Sequence, residues 1–226
     1  MILTRESIRD GYVQRLVAHE QAGRKPLSEE QLRLSRRQAL ARNAANGEVW
    51  IFGYGSLMWN PAFHFVESRT GTIFGYRRRF CLWSTMGRGS PDNPGLMLGL
   101  ASGGSCQGLA LRIAPQVVES ETDILWRREM VRGAYRPSWV RVHTPEGVVT
   151  AITFVINPQH DAYAGILPEE TVVASIATAC GRLGPCAEYL TNTVSHMQAL
   201  GIRDRHMSDL LAKVRATPPQ QTTDGS

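Results

Sequence analysis

Through the first 45 residues apolar side chains recur at helical spacing among many charges, and Gly23 and Pro26 interrupt the run, so the pattern predicts two helices. They are expected to be peripheral. Ser28 stands three residues before Gln31, which marks Ser28 as the cap of the second helix, with each side chain meeting a free N–H at the helix start. From Glu48 the period shortens to that of strands. Apolar runs over 49–53, 71–83, 96–100, 106–113, 138–143 and 148–155 are separated by clusters of Gly, Pro, Asn and Asp, and six short strands with little helix between them predict a barrel or a strongly curved sheet. Helical patterning returns over 115–132, 168–181 and 187–199, where the last two are expected to pack over the barrel. The stretch 217–226 has no apolar anchor and is expected to be disordered.

The organisation this predicts is an N-terminal helical extension over 1–47, one domain over 48–215 and a tail over 216–226. At 226 residues and 42% hydrophobic, the chain can bury a single core. A net charge of +5 and a pI near 9.3 raise nucleic acid as a partner, but the basic residues are scattered. The densest run, Arg77, Arg78 and Arg79, falls inside a predicted strand, where Arg78 and Arg79 take opposite faces, so at least one must point into the barrel or pair with a carboxylate, and both are expected to be structural. Nucleic-acid binding is therefore excluded, and a mildly positive surface suits a small anionic substrate. No segment has the ~18 consecutive apolar residues of a membrane helix and the start lacks a signal-like pattern, so the expectation is a cytoplasmic protein with no membrane partner. Cys81, Cys106, Cys180 and Cys186 share no ligand spacing with each other or with the six histidines. All four are expected to be reduced and structural, with no metal and no cofactor.

Candidate chemistry concentrates where the strand at residue 49 runs without a spacer into a loop, Val-Trp-Ile-Phe-Gly-Tyr-Gly-Ser-Leu. Gly53 and Gly55 flank Tyr54, and two residues free to take positive φ allow a sharp turn whose N–H groups face a common concavity. Such a concavity suits an anion or a developing oxyanion.

The loop resembles that of the glutamine-cyclotransferase-like superfamily, and within it the ChaC-type glutathione-specific gamma-glutamylcyclotransferases. The resemblance rests on Ile51 to Leu57 with Trp59, then Gly75-Tyr76-Arg77-Arg78-Arg79-Phe80, Ser84-Thr85-Met86-Gly87-Arg88-Gly89 and Pro94-Gly95. It continues through Gly108-Leu109-Ala110, Arg128-Glu129 with Tyr135 six residues on, and Glu188-Tyr189-Leu190. These islands cover about residues 49–200 in the family's order. The resemblance implies an α+β fold, a small closed mixed β-barrel decorated by helices.

It also implies a reaction in which the α-amino group of a γ-glutamyl unit attacks its own γ-carbonyl and releases the peptide amine. From glutathione the products are 5-oxoproline and Cys-Gly. The attacking group is mostly ammonium at neutral pH, so a base must take a proton and an acid must later give one to the leaving nitrogen. Glu129 matches the family's acid/base. The interval from Glu129 to the Gly-Tyr unit is longer than in the shorter members. Ile51, Phe52 and Gly53 are expected as the pocket floor. Tyr54, Gly55, Ser56 and Leu57 are expected around the γ-glutamyl group, with Tyr189 as a further contact. Arg88, between two glycines in a loop expected to be mobile, is the candidate partner for the glycine carboxylate. Two other readings stay open: a cyclotransferase for γ-glutamylamines or other γ-glutamyl amino acids, and a non-enzymatic binding module in cation-transport regulation. The oligomeric state is not legible.

Overall fold

The computed structural model describes residues 3–19, 25–42 and 47–217. Five strands close into a barrel: β1 (Val49–Gly53), β2 (Glu67–Ser84), β3 (Gly95–Ile113), β4 (Tyr135–Thr144) and β5 (Gly147–Ile156), in the order β1-β3-β2-β4-β5. The pairs β1–β3, β2–β3, β2–β4 and β4–β5 are antiparallel, while β5 closes on β1 in parallel through Trp50↔Ala151 and Ile51↔Ile152. The fold is thus the closed mixed barrel with helices that the sequence implied. The core that the barrel shares with its surrounding helices includes Ile51, Phe52, Ile73, Leu98, Leu100, Leu111, Ile152 and Phe154, all essentially inaccessible.

The strand count differs from expectation. The runs 96–100 and 106–113 are one 19-residue strand, because residues between them stay in the ladder (Ala101↔Arg77, Ser102↔Tyr76) and the register merely shifts between the two runs, at Phe74/Tyr76. Gly75, Gly103 and Gly104 all sit at positive φ there, so these glycines mark a bulge and not a break. Arg78 is buried on β2 and pairs with Asp204 at 2.7 Å, the second of the two expected arrangements.

Seven helices surround the barrel among the described residues: α1 (Arg5–Arg9), α2 (Tyr12–Ala18), α3 (Glu29–Ala41), α4 (Val118–Glu129), α5 (Glu169–Thr178), α6 (Cys186–Ala199) and α7 (Arg205–Ala216). A two-residue hairpin, β6 (Cys180–Gly181) with β7 (Gly184–Pro185), separates α5 from α6. Ser28 and Gln31 form the expected reciprocal cap of α3. The N-terminal helices are not peripheral, since Ile8 is wholly buried and Leu16 and Val17 nearly so. They number three among the described residues, with Gly11 at φ 76 dividing α1 from α2. The expected break near Gly23 lies outside the described residues. So does most of the expected disordered tail, 218–226, whereas Ala216 ends α7, a helix not expected from the sequence. No described helix is long and apolar enough to cross a membrane.

Candidate active site

β1 delivers the chain directly into Tyr54-Gly55-Ser56-Leu57, and Ser56–Met58 forms a single 3₁₀ turn capped by Gly55. Met58 N–H donates to the Gly55 carbonyl at 2.9 Å, which leaves the N–H groups of Ser56 and Leu57 unmet within the turn. The Tyr54 side chain turns inward, its hydroxyl donating to the Phe154 carbonyl (2.8 Å), while its own carbonyl accepts from Arg78 Nε (2.5 Å). The phenol is therefore occupied by the barrel and the carbonyl by Arg78. Neither Gly53 nor Gly55 lies at positive φ, contrary to expectation; Gly55 has φ −139 and ψ −128. What requires glycine is close approach. A Cβ on Gly53 would stand 2.9 Å from Leu57 Cβ, and one on Gly55 3.0 Å from the Tyr189 hydroxyl.

Glu129 is the last residue of α4, a helix fixed by buried Ile124, Leu125 and Trp126, whose indole ring meets Phe154 edge-on at 5.4 Å. The preceding residue spreads its guanidinium across three partners. Arg128 Nε pairs with Glu129 Oε1 at 2.9 Å, Nη2 donates to the Ser56 hydroxyl at 2.8 Å, and Nη1 donates to the Asn60 carbonyl. The carboxylate and the loop are thereby held by one rigid cation. Burial raises the carboxyl of Glu129 above the usual range, and the Arg128 charge and hydrogen bond offset part of that rise. The same burial pushes the phenols of Tyr54, Tyr135 and Tyr189 up, with the neighbouring Glu129 charge adding to the effect, so all three stay neutral donors.

These groups surround a cavity of about 190 Å³. Tyr54, Gly55, Ser56, Leu57, Arg88, Glu129 and Tyr189 all line it, and Tyr135 joins them with its hydroxyl donating to the Leu98 carbonyl at 2.8 Å. Ile51, Phe52 and Gly53 do not form its floor. Their strand is sealed inside the barrel core, with Ile51 and Phe52 fully buried, and they act by aiming the loop. Arg88 is neither mobile nor solvated: its side chain is 7% exposed, donates to the Pro185 carbonyl (3.1 Å), faces Glu188 Oε2 at 3.5 Å and lies 5.8 Å from the centre of the Tyr189 ring. The loop around it is knitted to the β6–β7 hairpin by Arg182 N–H to Met86 O (2.9 Å) and Leu183 N–H to Gly87 O (2.8 Å). Gly181 is required at that contact because backbone meets backbone there. Sequence reasoning did not single out Arg128 or Glu188 as site residues, although both sit beside a residue that it did select. It also passed over Leu3, Val13, Leu16 and Val17, which lie outside every motif and still line the cavity. Among the described residues no group of three His, Cys, Asp or Glu is placed to hold a metal ion.

A closed mixed barrel whose rim carries a glycine-framed turn and a buried, arginine-held carboxylate defines the cyclotransferase class of fold. A gamma-glutamyl cyclotransferase specific to glutathione from yeast superposes with a TM-score of 0.68 over 75% of this chain and 96% of its own, at 22% identity. The family description "ChaC-like protein" matches residues 49–217, and the chain belongs to that family. It is 42% identical over 199 residues to the glutathione-specific gamma-glutamylcyclotransferase of Escherichia coli strain K12, covering 88% of this chain and 86% of the relative. It is 35% identical to glutathione-specific gamma-glutamylcyclotransferase 1 of Rattus norvegicus, over 76% of this chain and 80% of that protein. These relatives are enzymes, and the islands seen in the sequence fall within the matched span.

Proposed function

We propose that this protein cleaves glutathione by intramolecular aminolysis, releasing 5-oxoproline and Cys-Gly. The observation that carries the reading is the Arg128 bridge, which sets a carboxylate of raised proton affinity beside the loop turn at one cavity. Glu129 takes a proton from the substrate ammonium, the freed amine closes on the γ-carbonyl carbon, and the same carboxyl protonates the departing nitrogen as the C–N bond breaks, its carboxylate then taking the second proton that the ring nitrogen must lose. A raised pKa suits the task, because it makes the carboxylate a stronger base toward the substrate ammonium while its acid form can still return the proton. The unmet N–H groups of Ser56 and Leu57 are suited to hold the oxyanion of the tetrahedral intermediate. The Ser56 hydroxyl, already accepting from Arg128, keeps its proton available as a third donor. No covalent intermediate is needed. Arg88 takes the glycine carboxylate, with Glu188 giving way to it, since the two groups are only loosely paired at 3.5 Å. The reaction belongs in a reducing, cytoplasmic setting, as the four free cysteines suit, three of them buried and Cys180 exposed.

The test is a single assay of purified protein against glutathione, γ-Glu-Cys and γ-glutamyl-ε-lysine, detecting 5-oxoproline. Release from glutathione well above the other two is expected. Preference for γ-glutamyl-ε-lysine would move the protein to the γ-glutamylamine reading, and no release from any would remove the enzymatic one.

A further inference from the structure

The family match starts at residue 49, yet one wall of the cavity comes from upstream: Leu3, and on α2 Val13, Leu16 and Val17. This segment is fastened to the site at two points. Asn60 Nδ2 donates to the Leu3 carbonyl at 2.9 Å, and the Asn60 carbonyl in turn accepts from Arg128, the residue that holds Glu129. On α1, Arg5 binds both oxygens of Glu121, two turns upstream of Glu129 on α4, at a carboxylate only 2% exposed that also accepts the His64 N–H at 2.8 Å. The wall is thus positioned by the same helix that carries the acid/base.

All four side chains are hydrocarbon. Both ends of glutathione carry ionised groups, which cannot be desolvated against such a wall without a partner. The cysteine side chain is the uncharged part of the molecule, and its soft sulfur suits aliphatic contact. Of the other apolar lining, Met86 and Leu183 flank Arg88 and belong with the glycine end, while Leu98 and Phe154 belong to the barrel rim, where their carbonyls accept from the Tyr135 and Tyr54 hydroxyls. We propose that Leu3, Val13, Leu16 and Val17 form the subsite for the cysteine side chain, so that the N-terminal segment sets how large a group on the sulfur the enzyme admits. This rests on the glutathione reading above. The match to the E. coli relative runs over 199 residues, more than the chain holds from residue 49 onward, so some of the chain upstream of the family match has a counterpart there.

The experiment measures KM for glutathione and the inhibition constant of S-butylglutathione in the parent, Leu16→Ala, Val13→Ala and Met86→Ala proteins, with a thermal melt of each. Truncating a wall residue makes room for the butyl group, so Leu16→Ala and Val13→Ala are expected to tighten S-butylglutathione relative to glutathione by on the order of 10-fold. Should Leu16→Ala fail to fold, Leu3→Ala and Val13→Ala, both at partly exposed positions, carry the same comparison. An unchanged ratio in the wall variants, or the gain appearing in Met86→Ala instead, would overturn the subsite. Absence of glutathione turnover in the parent would sink the functional reading itself, which separates the two failures.

Discussion

Glu129 is asked to be a base in one step and an acid in the next, and its surroundings meet that demand with two opposed influences, burial and Arg128. Glu129→Gln keeps shape and hydrogen-bonding reach but cannot exchange a proton, so kcat should fall ~10²–10⁴-fold while glutathione still binds. Stability should not fall with it. Because the folded protein holds the Glu129 proton more tightly than the unfolded chain, stability contributed by that proton is present below the ordinary carboxylate pKa and lost as pH rises through the raised one. The glutamine variant escapes this loss, and its Tm at pH 7 should match or exceed the parent's; a lower Tm would mean that the ionised carboxylate is a net structural asset. Arg128→Ala removes the influence that lowers the Glu129 pKa, so the acid limb of the kcat/KM profile should move to higher pH. Arg128→Lys restores the charge but cannot reach Glu129, Ser56 and Asn60 together, and it should bring the limb back without restoring kcat. A limb that stays put in Arg128→Ala would show that the pair does not tune the carboxyl.

The elements that shape the leaving-group side are short and joined by backbone. A Cβ on Gly181 would stand 2.5 Å from the Gly87 carbonyl oxygen and 2.6 Å from that of Met86, so neither neighbour can yield by turning a side chain. Gly181→Ala should lift the hairpin off the Arg88 loop and raise KM for glutathione more than it lowers kcat, a split that steady-state kinetics reads directly; a kcat loss alone would point to damage reaching Glu129 instead. The barrel was legible in the sequence because its strands read as short apolar runs bounded by glycine, proline, asparagine and aspartate, and the loop was legible because β1 runs into it without a spacer. The join of β3 across Ser102-Gly103-Gly104-Ser105 was not, since a bulge and a turn draw on the same residues. Arg88 was misjudged for a related reason: glycines beside it read as freedom, whereas Gly89 and Gly95 are there because a Cβ on Gly89 would stand 2.1 Å from Gly95 N, and one on Gly95 2.2 Å from the Arg88 carbonyl. Sequence spacing does not encode which backbones will touch.

Across the whole molecule, contributions to the site arrive from both ends of the chain. Asp204 caps α7 by accepting from Met207 N–H (3.1 Å) and pairs with Arg78, whose Nε holds the Tyr54 carbonyl. Asp204→Ala should therefore cost about 1 kcal/mol for the cap and ~1.5–3 kcal/mol for the hydrogen bond to a buried cation. A urea melt should show the midpoint falling, and Arg78→Met in the same background should recover part of the loss by removing the stranded charge. No recovery would place the whole effect in the cap. The N-terminal helices went unread as part of the site because their apolar positions spell only an amphipathic surface, and nothing in the pattern says what that surface covers. One property of the barrel also fixes when the enzyme can first work. β1 is sealed by its parallel partner β5 about a hundred residues later, and the Tyr54 hydroxyl finds the Phe154 carbonyl only across that span. Pairings so distant in sequence form late, so during synthesis the growing chain carries its Tyr54 loop long before the barrel can hold it, and cannot consume glutathione until translation has passed β5.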